Sequence, residues 1–230
     1  MRKQSPLPER YQLRWQRTFE AQLDLRPGMT ILDVGSGRTP FLDPEQRPID
    51  CHYVGLDISA DELGRAPAGS YDETQVSDLQ QLVPALRGRF DLIVSWQLLE
   101  HVKDVEQALD NVRTYLVPGG RFVAMLSGKY SAFAIINMIV PARVGVWGMK
   151  KLLHRAPDSV FPAYYDRCSM NALTKVLGPW RDSAVFPLYG GATYFAFSAA
   201  VQRLYLAYED WAMRRGHHNL ATHYVLSAVA

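Results

Sequence analysis

The residues best suited to chemistry lie where an apolar run meets a glycine turn. In residues 30–39, TILDVGSGRT, the apolar Ile31, Leu32 and Val34 surround one acid, Asp33, and lead into Gly35-Ser36-Gly37. The apolar run reads as a buried strand of a parallel sheet, and the glycines as the turn that leaves it. Glycine suits such a turn because the backbone must bend tightly and then lie against a ligand with no Cβ in the way. Asp57 ends a second apolar run, Tyr53-Val54-Gly55-Leu56. It follows the glycines at about the ~20-residue spacing from which an acid on the neighbouring strand reaches a ribose hydroxyl. This pairing predicts a site for an adenosine-type cofactor.

The surroundings of the glycines discriminate between cofactors. A dinucleotide fingerprint needs a third small residue for close helix–strand packing under a pyrophosphate. Pro40 occupies that position. Asp33, two residues before Gly35, would be unhelpful beside a pyrophosphate but suits a cofactor carrying a sulfonium and an ammonium. The D-x-G-x-G pattern resembles the first motif of the class I S-adenosylmethionine-dependent methyltransferases, with Thr39 where that family often has a further glycine. Later landmarks extend the resemblance over residues 25–127: Asp57 in VGLDIS, Asp78 in SDLQQL, the strand opening Phe90-Asp91, and the Pro118-Gly119-Gly120 turn. The resemblance implies S-adenosylmethionine as cofactor. It places Gly35, Ser36 and Gly37 under the methionine portion, Asp57 on the ribose and Ile58 on the adenine face. Asp78 and Leu79 would address the adenine edge. Ser95, Trp96 and Gln97 emerge from the fourth strand, on the edge where open α/β sheets bind ligands.

Those residues need a scaffold of alternating strands and helices. Apolar runs predict strands at 30–34, 52–56, 74–76, 90–95 and 121–126. A helix over 102–116 has Val105, Leu109, Val112 and Leu116 at helical spacing, and another over 8–25 precedes the first strand. This alternation predicts an α/β fold with a doubly wound sheet. The resemblance implies seven strands in the order 3-2-1-4-5-7-6, strand seven antiparallel. The last two would be residues 183–188 and 223–229, separated by 189–222, which is far longer than a hairpin loop. Within that insertion, over 199–215, Val201, Leu204, Tyr205, Tyr208 and Trp211 could share a helix face. A second insertion, 128–165, reads as a lid. Its residues 129–155 carry Lys129, Arg143, Lys150, Lys151 and Arg155 with no acid, around an apolar run interrupted by Pro141. That run is shorter than the ~20 residues that cross a bilayer, but it could lie on an anionic membrane surface.

Methyl transfer asks the protein mainly to align the reactants and exclude water. A hydroxyl acceptor must also lose a proton, and His101, at the start of the helix after strand four, is the candidate base; the alternative is a histidine that fixes the loop. Tyr164 and Tyr165 could wall an acceptor pocket, or could pack the lid against the core. FPxYY also resembles a segment of methyltransferases acting on saccharides or glycolipids. His217, His218 and His223 lack the spacing of metal ligands and read as a solvated turn, so no metal is expected. Two cysteines give no disulfide framework, and a net charge of +2 offers no general attraction for nucleic acid. The polar start MRKQSPLPERYQ shows no secretory signal and suggests a cytoplasmic chain.

The resulting expectation is O-methylation of a sugar, glycolipid or lipid-like small molecule by direct displacement. N-methylation of an amine, a non-catalytic cofactor-binding role and a nicotinamide dehydrogenase are the rivals.

Overall fold

The computed structural model describes residues 10–131, 134–135, 138 and 162–230, with side chains from Trp15 onward. Seven strands form one sheet in the order β3-β2-β1-β4-β5-β7-β6. They are β1 (Thr30–Val34), β2 (His52–Asp57), β3 (Glu73–Val76), β4 (Phe90–Trp96), β5 (Leu116–Ser127), β6 (Arg181–Leu188) and β7 (His223–Val229). β1 pairs in parallel with β2 and β4, whereas β7 runs antiparallel to both β5 and β6. The order and the reversed seventh strand are those the family resemblance implied. The helices are α1 (Arg10–Glu20), α2 (Ala60–Gly64), α3 (Val105–Tyr115), α4 (Met170–Val176) and α5 (Ala199–Arg214).

Strand periodicity builds two cores. Leu32 and Val34 of β1 face one cluster with Leu109, Val112 and Tyr115 of α3. Ile31 faces the other, with Tyr53, Leu92, Val94 and Val225, beneath Phe19 and Leu23. Both faces are therefore covered, as a parallel sheet requires. Asp91 is structural: its carboxylate accepts from Thr30 N at 2.9 Å and ties the starts of β1 and β4 together.

The strand edges differ from the expected ones where backbone pairing, not side-chain pattern, sets the end. β5 begins at Leu116 because Phe90 pairs with it across a register shift, with the Pro-Gly-Gly turn inside the strand. The aromatic face expected on α5 exists, since Tyr205, Tyr208 and Trp211 form successive ring contacts. It is not the buried face: Leu204 is 74% exposed, and the helix buries Gln202, Glu209 and Ala212 instead. The expected lid and its basic-apolar run fall mostly on residues 139–161, outside the described residues. Among the described residues no helix is long and apolar enough to cross a membrane.

The end of β5 meets the connection into β7 at Gly128, whose N donates to Thr222 O at 2.7 Å. A Cβ there would overlap the Ala221 carbonyl oxygen, a backbone atom that cannot swing aside. Gly128→Ala should therefore cost about 1–3 kcal/mol in urea denaturation. Gly64→Ala, with open space around it, should stay within about 0.5 kcal/mol of wild type.

Candidate active site

The order of strands reverses between β1 and β4, where Val34 pairs with Ser95, and the crevice beyond their C-terminal ends is the expected ligand position. A cavity of about 750 Å³ opens there. Gly35, Asp57, Ile58, Asp78 and Leu79 line one side of it. Trp96, Gln97, His101 and Tyr164 also line it, together with residues not foreseen, among them Trp15, Gln80, Met125, Tyr194 and His223.

Each cofactor-side residue is placed by a local constraint. Gly35 takes φ +73 and donates from its N to Leu56 O at 2.7 Å, so the turn is anchored on β2. A Cβ on Gly35 would lie 2.8 Å from Leu98 Cδ1, so the turn has no room for a side chain. Gly37, at φ +52, follows, and its carbonyl accepts from Tyr71 Oη at 3.0 Å. Asp57 is half-buried at the tip of β2 and accepts from Ser59 N at 2.8 Å; burial raises its pKa. Ile58 beside it is 65% exposed, an apolar surface at the cavity mouth. The Asp78 carboxylate accepts from Gln80 N and Nε2 at 2.9 and 3.1 Å, which fixes its orientation.

Four expected cofactor contacts stand behind the cavity wall instead of on it: Asp33, Ser36, Gly37 and Ser95. Asp33 is the informative correction. Its side chain turns toward the face of the sheet that holds Ile31, where its Oδ2 accepts from Phe41 N and from Tyr53 Oη, both at 2.7 Å. The acid therefore holds the chain leaving the glycine turn. Burial raises its pKa to about 6 against those two hydrogen bonds.

Elsewhere along the cavity wall, Gln97 takes φ +57 just after β4, with its N donating to Met125 O at 2.8 Å. Positive φ on a non-glycine residue at a ligand edge is strain of the kind held at functional sites. Trp96 stacks on Phe41 with ring centroids 5.3 Å apart. His101 Nδ1 lies 2.8 Å from Pro162 O; a carbonyl only accepts, so Nδ1 carries the proton and Nε2 is the basic nitrogen of the neutral ring. Tyr164 reaches the cavity, with Lys103 Nζ 5.3 Å from its ring centroid. Tyr165 does not: it is 2% exposed within the core, because its backbone, at φ +52, turns the side chain inward. Glu100 fixes both tyrosines, its carbonyl accepting from Tyr164 N and Tyr165 N, while its buried carboxylate accepts from Ser127 Oγ at 2.7 Å.

His223 reverses the expectation of a solvated turn. It opens β7, is 1% exposed, and packs in a tilted ring contact on Trp15 with centroids 4.4 Å apart. Burial lowers its pKa to about 4, which keeps the ring neutral. The sequence carried the signal, since the expected last strand opens at residue 223, and that placement overrides the reading of His223 with the solvated turn. His217 and His218 are exposed as expected.

A glycine turn at the switch point, an acid at the tip of β2 and a seven-stranded sheet with reversed β7 define a nucleoside-cofactor transferase of the doubly wound class. The chain belongs to the methyltransferase domain family, whose model matches residues 7–175, and its fold and landmarks are those of the class I S-adenosylmethionine-dependent enzymes. It is 32% identical over 136 residues to a demethylmenaquinone methyltransferase of Symbiobacterium thermophilum, covering 55% of this chain and 54% of that one. It is 30% identical over 122 residues to a ubiquinone biosynthesis O-methyltransferase of Nitrobacter winogradskyi, covering 49% and 44%. The chain thus spans about half the length of these curated relatives. An S-adenosylmethionine-dependent methyltransferase from Mesorhizobium loti shares the fold at a TM-score of 0.53 and 20% identity, over 93% of this chain and 96% of that one.

The raised pKa of Asp33 has a consequence for stability. A carboxyl whose folded pKa exceeds its unfolded value contributes stability that is complete below the unfolded pKa and is lost as pH rises through the folded one. The stability advantage of wild type over Asp33→Asn should therefore shrink between about pH 4 and pH 7, by on the order of 3 kcal/mol in urea titrations. A difference independent of pH would mean that Asp33 is charged throughout.

Proposed function

We propose that this chain is an enzyme that transfers the methyl group of S-adenosylmethionine to a hydroxyl on an apolar, ring-bearing small molecule. The observation that carries the reading is the division of one cavity. One side offers a glycine turn without side chains, two carboxylates and an exposed isoleucine. The remaining lining residues include aromatic rings and two histidines.

The cofactor-side residues fit the proposed group. The turn at Gly35 leaves space for a chain of atoms, Asp57 can accept from ribose hydroxyls, Ile58 can cover a purine face, and Asp78 can accept from an amino group. When bound, the cofactor supplies an electrophilic methyl. The protein's own share is to hold the acceptor in line, exclude water and take the hydroxyl proton. His101 Nε2 can accept such a proton. The names of the relatives, which include an O-methyltransferase of ubiquinone biosynthesis, favour an acceptor with a ring and an apolar body over a saccharide.

The described ends of the expected lid segment lie close together beside the cavity. Lys129 N donates to Cys168 O at 2.7 Å, so the segment leaves and returns at one point. Pro162 and Tyr164, at its end, line the cavity.

The test is incubation with methyl-labelled S-adenosylmethionine and three acceptors: an alkyl catechol, a glycolipid and a primary amine. The expected product is a labelled ether on the catechol. Label on the amine would replace this reading with N-methylation. No transfer to any, with cofactor binding retained, would favour the non-catalytic binding role.

A further inference from the structure

Two residues on the acceptor side of the cavity come from parts of the chain that the cofactor motifs do not include. Tyr194 sits in a short 3₁₀ turn, Gly191–Phe195, and His223 opens β7. Tyr194 Oη lies 3.4 Å from His223 Nε2, and both side chains line the cavity. Nδ1 of His223 has no hydrogen-bond partner among the described residues, although the ring is 1% exposed. An unpaired buried polar atom costs about 1–3 kcal/mol, a cost that packing alone does not explain.

The pair is held by a dedicated scaffold. The buried Glu209 carboxylate of α5 accepts from Gly191 N at 2.8 Å, Ala192 N at 3.3 Å and Thr222 Oγ1 at 2.6 Å. Gln202, also buried, donates from Nε2 to Ala192 O at 3.0 Å. One carboxylate thus ties the turn that carries Tyr194 to the residue just before His223. Glycine is required where the turn meets Trp15, since a Cβ on Gly190 would lie 2.5 Å from the indole. This accounts for the polar buried face of α5: Gln202 and Glu209 are positioning residues.

We propose that Tyr194 and His223 form the acceptor-side proton relay, with Tyr194 Oη receiving the acceptor hydroxyl and His223 Nε2 receiving the proton. The proposal rests on the methyl-transfer reading above, and it names the acceptor as a phenol or catechol that fits among Trp15, Trp96 and Tyr194. In the step, the acceptor oxygen forms its bond to the methyl carbon, and the electron pair of the broken carbon–sulfur bond stays on sulfur. The acceptor proton passes to Tyr194 Oη as the tyrosine's own proton passes to Nε2. The site's total charge is unchanged, because an imidazolium replaces the sulfonium. Burial keeps the free ring unprotonated before the step, and because it also makes the ring a weaker base, His223 gives the proton up readily once the product has formed. His101, across the cavity, then orients the segment at Pro162 through its Nδ1 hydrogen bond.

The test uses 4-nitrocatechol titrated by absorbance into the complex with S-adenosylhomocysteine, for wild type, Tyr194→Phe and His223→Gln. The first variant keeps the ring and the packing. Wild type should bind the probe, and both variants should bind it about tenfold more weakly. Their affinity for S-adenosylhomocysteine should stay within about twofold of wild type. Equal probe binding by all three proteins, or none by wild type, would overturn the proposal. Turnover supplies the second readout. The variants should lose more rate on catechol than on 4-nitrocatechol, whose more acidic hydroxyl needs less help from a base. Equal losses on both acceptors would overturn the relay in favour of a structural role. Variant-sensitive binding without any wild-type turnover would overturn the methyl-transfer reading and the proton step with it, and would leave a phenol-binding site.

Discussion

The site depends on how the chain leaves β1. Val34 must end a buried strand beside β4, and the next residues must turn away without placing an atom in the crevice between the two strands. Gly35 and Gly37 accept the positive φ that this demands, and the Gly35 N–H to Leu56 carbonyl bond fixes the turn to the neighbouring strand. Asp33 completes the constraint from beneath. Its carboxylate is buried at an energetic cost and recovers part of that cost from Tyr53 Oη and Phe41 N. Since Phe41 stacks on Trp96, the same clamp reaches across the sheet to the acceptor side. One buried carboxylate thereby links the position of the glycine turn to that of the aromatic wall.

The second half of the cavity is organised by the same device at another place. Glu209, buried on α5, holds the turn of Tyr194 and the start of β7 as Asp33 holds the exit of β1. Burial raises the pKa of each, and each accepts hydrogen bonds from the backbone. Carboxylates used this way specify geometry more than they add stability, since both pay desolvation to make hydrogen bonds that water would also supply.

The strand positions and the glycine turn were legible in the sequence because they depend on local patterns, whereas the sheet order came from the family resemblance those patterns carry. Apolar runs of strand length, a glycine pair at φ > 0 and an acid at a strand tip are all written in neighbouring residues. The role of Asp33 was not, because strand alternation decides which face a side chain takes, and its partner Tyr53 lies on another strand. The two roles weighed for the tyrosines divide for a similar reason: a single positive φ sends Tyr165 into the core while Tyr164 reaches the cavity. Trp15, Tyr194 and His223 meet only in three dimensions, from α1, a 3₁₀ turn and β7. The polar face of α5 ran against the apolar pattern, since its buried residues were chosen to hold a loop and not to fill a core.

The central claim is that the crevice between β1 and β4 is an S-adenosylmethionine site whose ribose contact is Asp57. Calorimetric titration of the protein with S-adenosylmethionine, S-adenosylhomocysteine and NAD, alongside Asp57→Ala, tests it most directly. The account predicts binding of both sulfur cofactors, none of NAD, and loss of binding in the variant. Binding of NAD alone, or sulfur-cofactor binding unchanged by Asp57→Ala, would contradict it.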